Sequence, residues 1–163
     1  MRNFPRSMVL ATLMLLGISE ASFAQDWDKG NDAYELGDYA TALSEFRPLA
    51  EQGHAAAQRS LGYMYGNGKG VAQDYKEALK WYRKSAEQGH AAGQGSLGYI
   101  YHKGEGVLKD KVHAYMWFEI AAGNGSEQAR TRRDNLMKEM PNSQLEEAHK
   151  LARECVRKDY KGC

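Results

Sequence analysis

Apolar residues in this chain recur at helical spacing in short stretches, and glycine-rich or polar breaks separate the stretches. Ala78, Trp81, Tyr82, Ser85 and Ala86 fall on one face of a helix with 3.6 residues per turn. Asp74 stands where an N-cap is wanted, and Glu77 three residues later completes a capping-box pattern. Gly89 follows the last turn, the place for a left-handed C-cap residue. A shorter helix, dense in small residues, is predicted over Ala57–Tyr65. Gly66-Asn67-Gly68-Lys69-Gly70 breaks it, because glycine takes positive φ without steric cost. The unit is therefore two helices joined by a loop.

The unit repeats. At an offset of 36 residues Leu61-Gly62 meets Leu97-Gly98, Tyr65 meets Tyr101, and Gly68-x-Gly70-Val71 meets Gly104-x-Gly106-Val107. Asp74 meets Asp110, Ala78 meets Ala114, Trp81 meets Trp117, Ala86 meets Ala122 and Gly89 meets Gly125. A fixed period of this size is the signature of a solenoid, in which each unit buries its apolar face only against its neighbours. Gly62, Gly98, Ala78 and Ala114 are small enough for helix backbones to approach closely, with Trp81 and Trp117 beside them.

These residues resemble the Sel-one-like repeat (SLR), a relative of the tetratricopeptide repeat. The family pattern is roughly A-x3-LG-x2-Y-x2-G-x-GV-x2-D-x2-KA-x2-W-[YF]-x-KAA-x2-G. Ala57–Gly89 matches it with small departures at Glu77 and Ser85. Gly93–Gly125 matches with more, at Gly93, His113 and Ile120. The resemblance implies an all-α, right-handed α-α superhelical solenoid of SLR/TPR-like helix pairs. The family's recurring residues are packing residues, so it implies an architecture and not a catalytic site.

Residues 25–56 read as an atypical, tetratricopeptide-like first repeat, 57–92 and 93–125 as the two SLR units, and 126–163 as C-terminal capping helices. In the first unit Asp38 aligns with Asp74, Ala42 with Ala78 and Phe46 with Tyr82. Tyr34 reaches Asp38 in four residues where Tyr65 reaches Asp74 in nine, so the glycine loop is missing. Pro48 is foreign to a helix interior and either bends that helix or ends it. At the other end Ser126 caps a helix predicted over Glu127–Met140, and Pro141-Asn142 stops it. Ser143 with Glu146 forms a second capping-box pattern, opening a helix from Gln144 to about Lys158. The mixed charges of this segment suit a terminal unit that covers one open end and faces water.

Met1–Ala24 reads as a secretory signal. Arg2 and Arg6 precede a short apolar run from Met8 to Ile18, and Ser22-Phe23-Ala24 sets small residues for cleavage before Gln25. The run is too short for a membrane span; the alternative is an uncleaved N-terminal anchor. The expected location is the periplasm or the outside of the cell. Formal net charge is +1, and loss of Arg2, Arg6 and Glu20 with the signal brings it to zero. Neither a nucleic-acid-binding basic field nor an acidic one is present.

Export favours a disulfide between Cys155 and Cys163 that ties the Asp159–Gly162 tail to the last helix. An intermolecular bridge or free thiols are the alternatives. Some exported proteins of this repeat family carry a disulfide in every repeat, and this chain departs from them. His54 and His90 occupy equivalent inter-repeat turns and share a structural task; with His102, His113 and His149 they show no zinc spacing, so no metal or other cofactor is expected. The glycine loops lack the Gly-x4-Gly-Lys-[Ser/Thr] of a phosphate loop. Members of the family have been described as β-lactam-binding or β-lactamase-like. Here no serine is followed three residues later by lysine, and no Gly-x-Ser-x-Gly is present.

What remains is surface. In stacked helix pairs the first helices line the concave face, where extended partners bind. Gln58, Arg59, Tyr63 and Met64 form one candidate patch, and Gln94, Tyr99 and Ile100 form its counterpart one repeat later. The competing reading makes Tyr63, Tyr99 and Met64 partly buried packing. The sequence thus points to a non-catalytic exported scaffold that binds a protein or peptide in the cell envelope. The rivals are a β-lactam- or peptidoglycan-directed enzyme or binder, and a glycan-binding module.

Overall fold

The computed structural model describes residues 20–163, with side chains from residue 26 onward. The expected signal over 1–24 lies outside the described residues, apart from the backbone of 20–24. Eight helices and no strand occur among them: α1 (Glu20–Glu35), α2 (Tyr39–Glu51), α3 (Ala55–Asn67), α4 (Tyr75–Ala86), α5 (Ala91–Lys103), α6 (Lys111–Gly123), α7 (Glu127–Met137) and α8 (Asn142–Arg157). The chain is an all-α stack. Pairs α1/α2, α3/α4 and α5/α6 each pack internally, α2 packs on α3 and α4 on α5, and α7 and α8 both pack against α6.

The caps set the period. The carboxylates of Asp38, Asp74 and Asp110 each accept backbone N–H groups from the first turn of α2, α4 and α6. Gly68 and Gly104 end α3 and α5 in the left-handed region, with φ of 63° and 79°. The reciprocal half of the predicted capping box does not form. The Asp74 N–H donates instead to the Tyr65 carbonyl at 2.9 Å, which closes the glycine loop, and Glu77 pairs with Lys80. The box predicted at Ser143 is absent as well. Pro141 precedes α8, and its carbonyl takes the Gln144 and Leu145 N–H groups, so the helix starts earlier than predicted. Helix α7 is shorter than predicted, ending at Met137, and Met140 turns inward from the connection to α8. Pro48 neither ends nor caps α2, which continues to Glu51.

Helix α3 begins before the predicted Ala57, and α5 begins at the equivalent position, because a histidine caps each of them. His54 Nδ1 accepts the Ala57 N–H at 3.1 Å and His90 Nδ1 accepts the Gly93 N–H at 3.2 Å. Ser126 Oγ plays the same part for α7, accepting from Ala129. Only a neutral imidazole has a lone pair for this bond. Burial depresses the pKa of both histidines, and at His90 the charges of Arg59 and His54 add to it. A folded-state pKa below the unfolded value gives stability that is complete above about pH 6.5 and is lost as pH falls. The urea midpoint is therefore expected to drop between pH 7 and pH 5. His54→Asn with His90→Asn should flatten that slope, since asparagine caps without titrating. An unchanged slope in the double variant would remove the caps as its cause.

Close approach between the two helices of a pair depends on one glycine. A Cβ at Gly62 would lie 2.6 Å from the Tyr82 ring and one at Gly98 2.7 Å from the Phe118 ring. Gly30 stands under Phe46 in the same way, at 2.7 Å. Gly30 is thus the first repeat's counterpart of Gly62. Three residues link α1 to α2 and seven link α3 to α4, so the first loop is shorter by four residues, not five. Successive units meet through the second glycine of each loop. Gly70 (φ 71°) lies on the Tyr39 backbone and Gly106 (φ 75°) on the Tyr75 backbone, where a Cβ would come within 3.0 Å. At the equivalent position of the next unit the Lys111 side chain pairs with Glu139 from the α7–α8 connection, at 3.0 Å.

Two departures from the repeat pattern, Ser85 and Gly93, are one event in space. A Cβ at Gly93 would sit 2.2 Å from Ser85 Oγ, and that hydroxyl is fully buried and donates to the Ala55 carbonyl at 2.8 Å. Gly93→Ala alone should cost about 1–3 kcal/mol by overpacking. Paired with Ser85→Ala it should cost less, because the 2.2 Å contact with Oγ is gone and only the 2.7 Å approach to the residue-85 Cβ has to relax, as it does one repeat on, where Ala121 and Ala129 stand at the equivalent positions. A double-mutant cycle by urea denaturation measures the coupling; additive effects would refute it.

Candidate functional site

Helices α3, α5 and α7 line a groove of about 370 Å³. Arg59 and Tyr63 come from α3, Gly95, Ser96 and Tyr99 from α5, and Gln128 and Arg132 from α7. Each arginine lies over a tyrosine: Arg59 is 5.8 Å from the Tyr63 ring centre and Arg132 4.9 Å from that of Tyr99. The groove continues past Arg59 toward α1, where Tyr34 meets the Tyr63 ring edge-on at 6.1 Å. Burial, foremost, and the neighbouring Tyr63 push the Tyr34 hydroxyl up to about 12. Tyr82 closes the floor, only 6% exposed, and burial raises its hydroxyl pKa also. Both hydroxyls therefore stay neutral hydrogen-bond donors at physiological pH.

Of the seven residues predicted to form the binding face, three reach this groove as accessible side chains. Tyr63 is exposed, and Arg59 and Tyr99 are half-buried. Ile100 touches the groove but is 2% exposed, and Met64 is wholly buried in the first core cluster. Gln58 and Gln94 are buried too, at 4% and 0% exposure, and they work as struts between units. Gln58 Nε2 donates to the Ala50 carbonyl, while its Oε1 accepts from Gln88 at 2.7 Å. Gln94 repeats the arrangement with Ala86 and Asn124. A buried amide needs partners for its donors and its acceptor, and the preceding helix end and the following turn supply them. Spacing alone could not separate these glutamines from exposed ones, since helix periodicity places them beside Arg59.

The residues missed from sequence were Tyr34, Tyr82, Gln128 and Arg132. Arg132 is one residue past the position equivalent to Arg59, so the repeat offset did not flag it. Tyr34 belongs to the unit whose loop is short.

A family model for the Sel1 repeat matches residues 55–90 and again 91–126. The chain carries two Sel1 repeats. Among solved structures, a protective antigen of uropathogenic Escherichia coli strains that displays an SLR fold is 33% identical, with a TM-score of 0.78 over 85% of this chain. A Sel1 repeat protein from Oxalobacter formigenes is 34% identical, with a TM-score of 0.65 over 69% of this chain. The chain spans 31% of the first and 46% of the second. Comparison with curated proteins gives no match.

The family boundaries run from cap to cap: each Sel1 repeat begins directly after His54 or His90 and holds one complete helix pair. Outside the two Sel1 repeats, α1/α2 keeps the pair geometry with the shorter loop. At the other end Cys155 and Cys163 are joined by a disulfide, with Cα atoms 5.6 Å apart. The tail between them turns through left-handed residues Asp159 and Tyr160. That turn brings the Tyr160 ring beside Gly89, in the turn between the Sel1 repeats, and its hydroxyl to Asn124. No helix among the described residues is long and apolar enough to cross a membrane.

Proposed function

We propose that this Sel1-repeat chain is an exported, non-catalytic scaffold that holds an extended segment of another protein along the α3–α5–α7 groove. The observation that carries the reading is the pair of accessible tyrosines, Tyr63 and Tyr99, each paired with an arginine and aligned one repeat apart. Tyrosine and arginine are among the residues that most often anchor interfaces: tyrosine buries much area for two torsions, and arginine offers a planar fork of five donors. The groove is polar and crosses three helices, which suits a chain segment. The family's role as a repeat scaffold supports the same view.

Export rests on the pattern of Met1–Ala24. Cleavage before Gln25 would shorten α1 yet keep its first described packing residue, Trp27, which lies 5.0 Å from Phe46 and 5.2 Å from His54. N-terminal sequencing of the protein from its own cells should begin at Gln25; an intact Met1 would reverse the assignment.

The groove reading is tested with a photo-crosslinking residue placed in turn at Tyr63, Tyr99 and, on the opposite side of the pair, Lys84. In the producing cells the two groove positions should yield an adduct that maps to one segment of a partner protein, with Lys84 giving none. Adducts confined to Lys84, or groove adducts only with glycan or peptidoglycan, would overturn it.

A further inference from the structure

The groove carries two arginines as well as its tyrosines. Arg59 and Arg132 line it without an ion-pair partner among the described residues, as do Arg153 and Arg157 on α8 away from the groove, whereas Arg130 and Arg133 are paired with Glu127 and Asp134. Arg47 and Arg83 are likewise engaged, with the hydroxyls of Tyr65 and Tyr101. Arg59 Nε is also buried with no acceptor. Tyr82, almost wholly buried, lies on the groove floor near the same arginine.

The space between the two arginines is open for a reason that packing does not supply. Gly95 occupies the repeat position of Arg59. Its missing Cβ would meet Ala129 at 3.7 Å, an ordinary contact, unlike the clashes at Gly62, Gly93 and Gly98. Glycine there leaves the floor bare where an Arg59-like side chain would fill it. Glu105 also borders the groove, and Glu35 its extension, but neither lies within ion-pair distance of an arginine.

We infer that the groove takes an extended peptide segment bearing two acidic side chains, one engaged by Arg59 and the other by Arg132. This deepens the scaffold reading and rests on it. Helices packed side by side stand roughly 9 Å apart, so α3 and α7 are about 18 Å apart across α5. An extended chain advances about 3.3 Å per residue. Allowing for the reach of the arginines, the two carboxylates should be separated by about four to six residues. Glu105 in the groove and Glu35 in its extension disfavour additional acidic groups, which favours two carboxylates at a defined spacing over a uniformly acidic run.

The probe is a library of random linear peptides displayed on phage and selected against the purified chain. Selected peptides should be enriched in Asp or Glu at two positions with that separation. Arg59→Gln and Arg132→Gln should each weaken them by about tenfold to a hundredfold, the usual effect of losing a charge-assisted bond. Arg132→Lys should restore most of the binding, and raised salt should weaken it. Gly95→Leu, which fills the floor and leaves the charge alone, should also abolish it. Peptides that lack acidic residues and bind both glutamine variants normally, yet fail on Gly95→Leu, would overturn the acidic preference and leave the groove standing. Peptides indifferent to all three variants would overturn the groove as well, and so would the absence of any enriched peptide.

Discussion

Gly98→Ala should destabilise the stack by about 2–3 kcal/mol, as overpacking of a tight core does. In the interior of an ordinary helix the same change gains up to about 1 kcal/mol. Here the new methyl carbon would stand 2.7 Å from Phe118 Cδ1 and 3.1 Å from the Ala114 carbonyl oxygen. The carbonyl belongs to α6 and the ring is 1% exposed, so neither has room to yield. The helices must separate along the whole pair, and the adjoining units lose contact with them. The thermal midpoint followed by circular dichroism should fall by roughly 6–10 °C for a chain of this size. Gly66→Ala is the control, since its Cβ would meet Ala78 at an unstrained 3.5 Å. That variant should be as stable as the parent or slightly more so. Equal midpoints for the two variants would show that the pair tolerates a wider spacing than its geometry implies.

Loss of the Cys155–Cys163 disulfide should cost a similar amount, about 2–3 kcal/mol in the chain-entropy account for a loop this short. The larger consequence is local. The bridge holds Tyr160 in a left-handed conformation that a free tail would rarely visit. From there Tyr160 reaches Asn124, whose amide also donates to the buried Gln94 strut. Reduction should therefore lower protection of backbone amides around Gly89 and Asn124 in hydrogen exchange, while α1–α3 stay protected. Cys163→Ser should reproduce the pattern without reductant. An unchanged midpoint in both would mean that packing of Ala148, Ala152 and Cys155 alone secures α8.

The two predictions locate the stack's stability differently. The glycine sets how closely a pair closes, a property that recurs in Gly30, Gly62 and Gly98. The disulfide acts once, at an end where no further repeat follows among the described residues and where α8 must be held against α6 by other means. In a solenoid each unit contacts only its neighbours, so damage at one end should spread less than damage in the middle.

Much of this fold could be read directly from residue order. Helix pairs, the 36-residue period, the aspartate N-caps and the small-residue contacts are local or periodic features, and helix geometry translates them without reference to the rest of the chain. Tertiary structure decided the matters that depend on what stands opposite a side chain. Gln58 and Gln94 share a helix face with Arg59, and only the neighbouring repeat's carbonyls and amides make them internal struts. Ser85 and Gly93 looked like separate departures until the stack put one's hydroxyl in the other's missing methyl. Arg132 joined Arg59 in one groove because α7 continues the first-helix layer although its sequence leaves the repeat pattern. Residue order alone settles which segments are helices and how often they recur. Whether a given side chain braces the stack or faces a partner was set by packing between units, because burial is a property of two surfaces and a periodic sequence specifies only one.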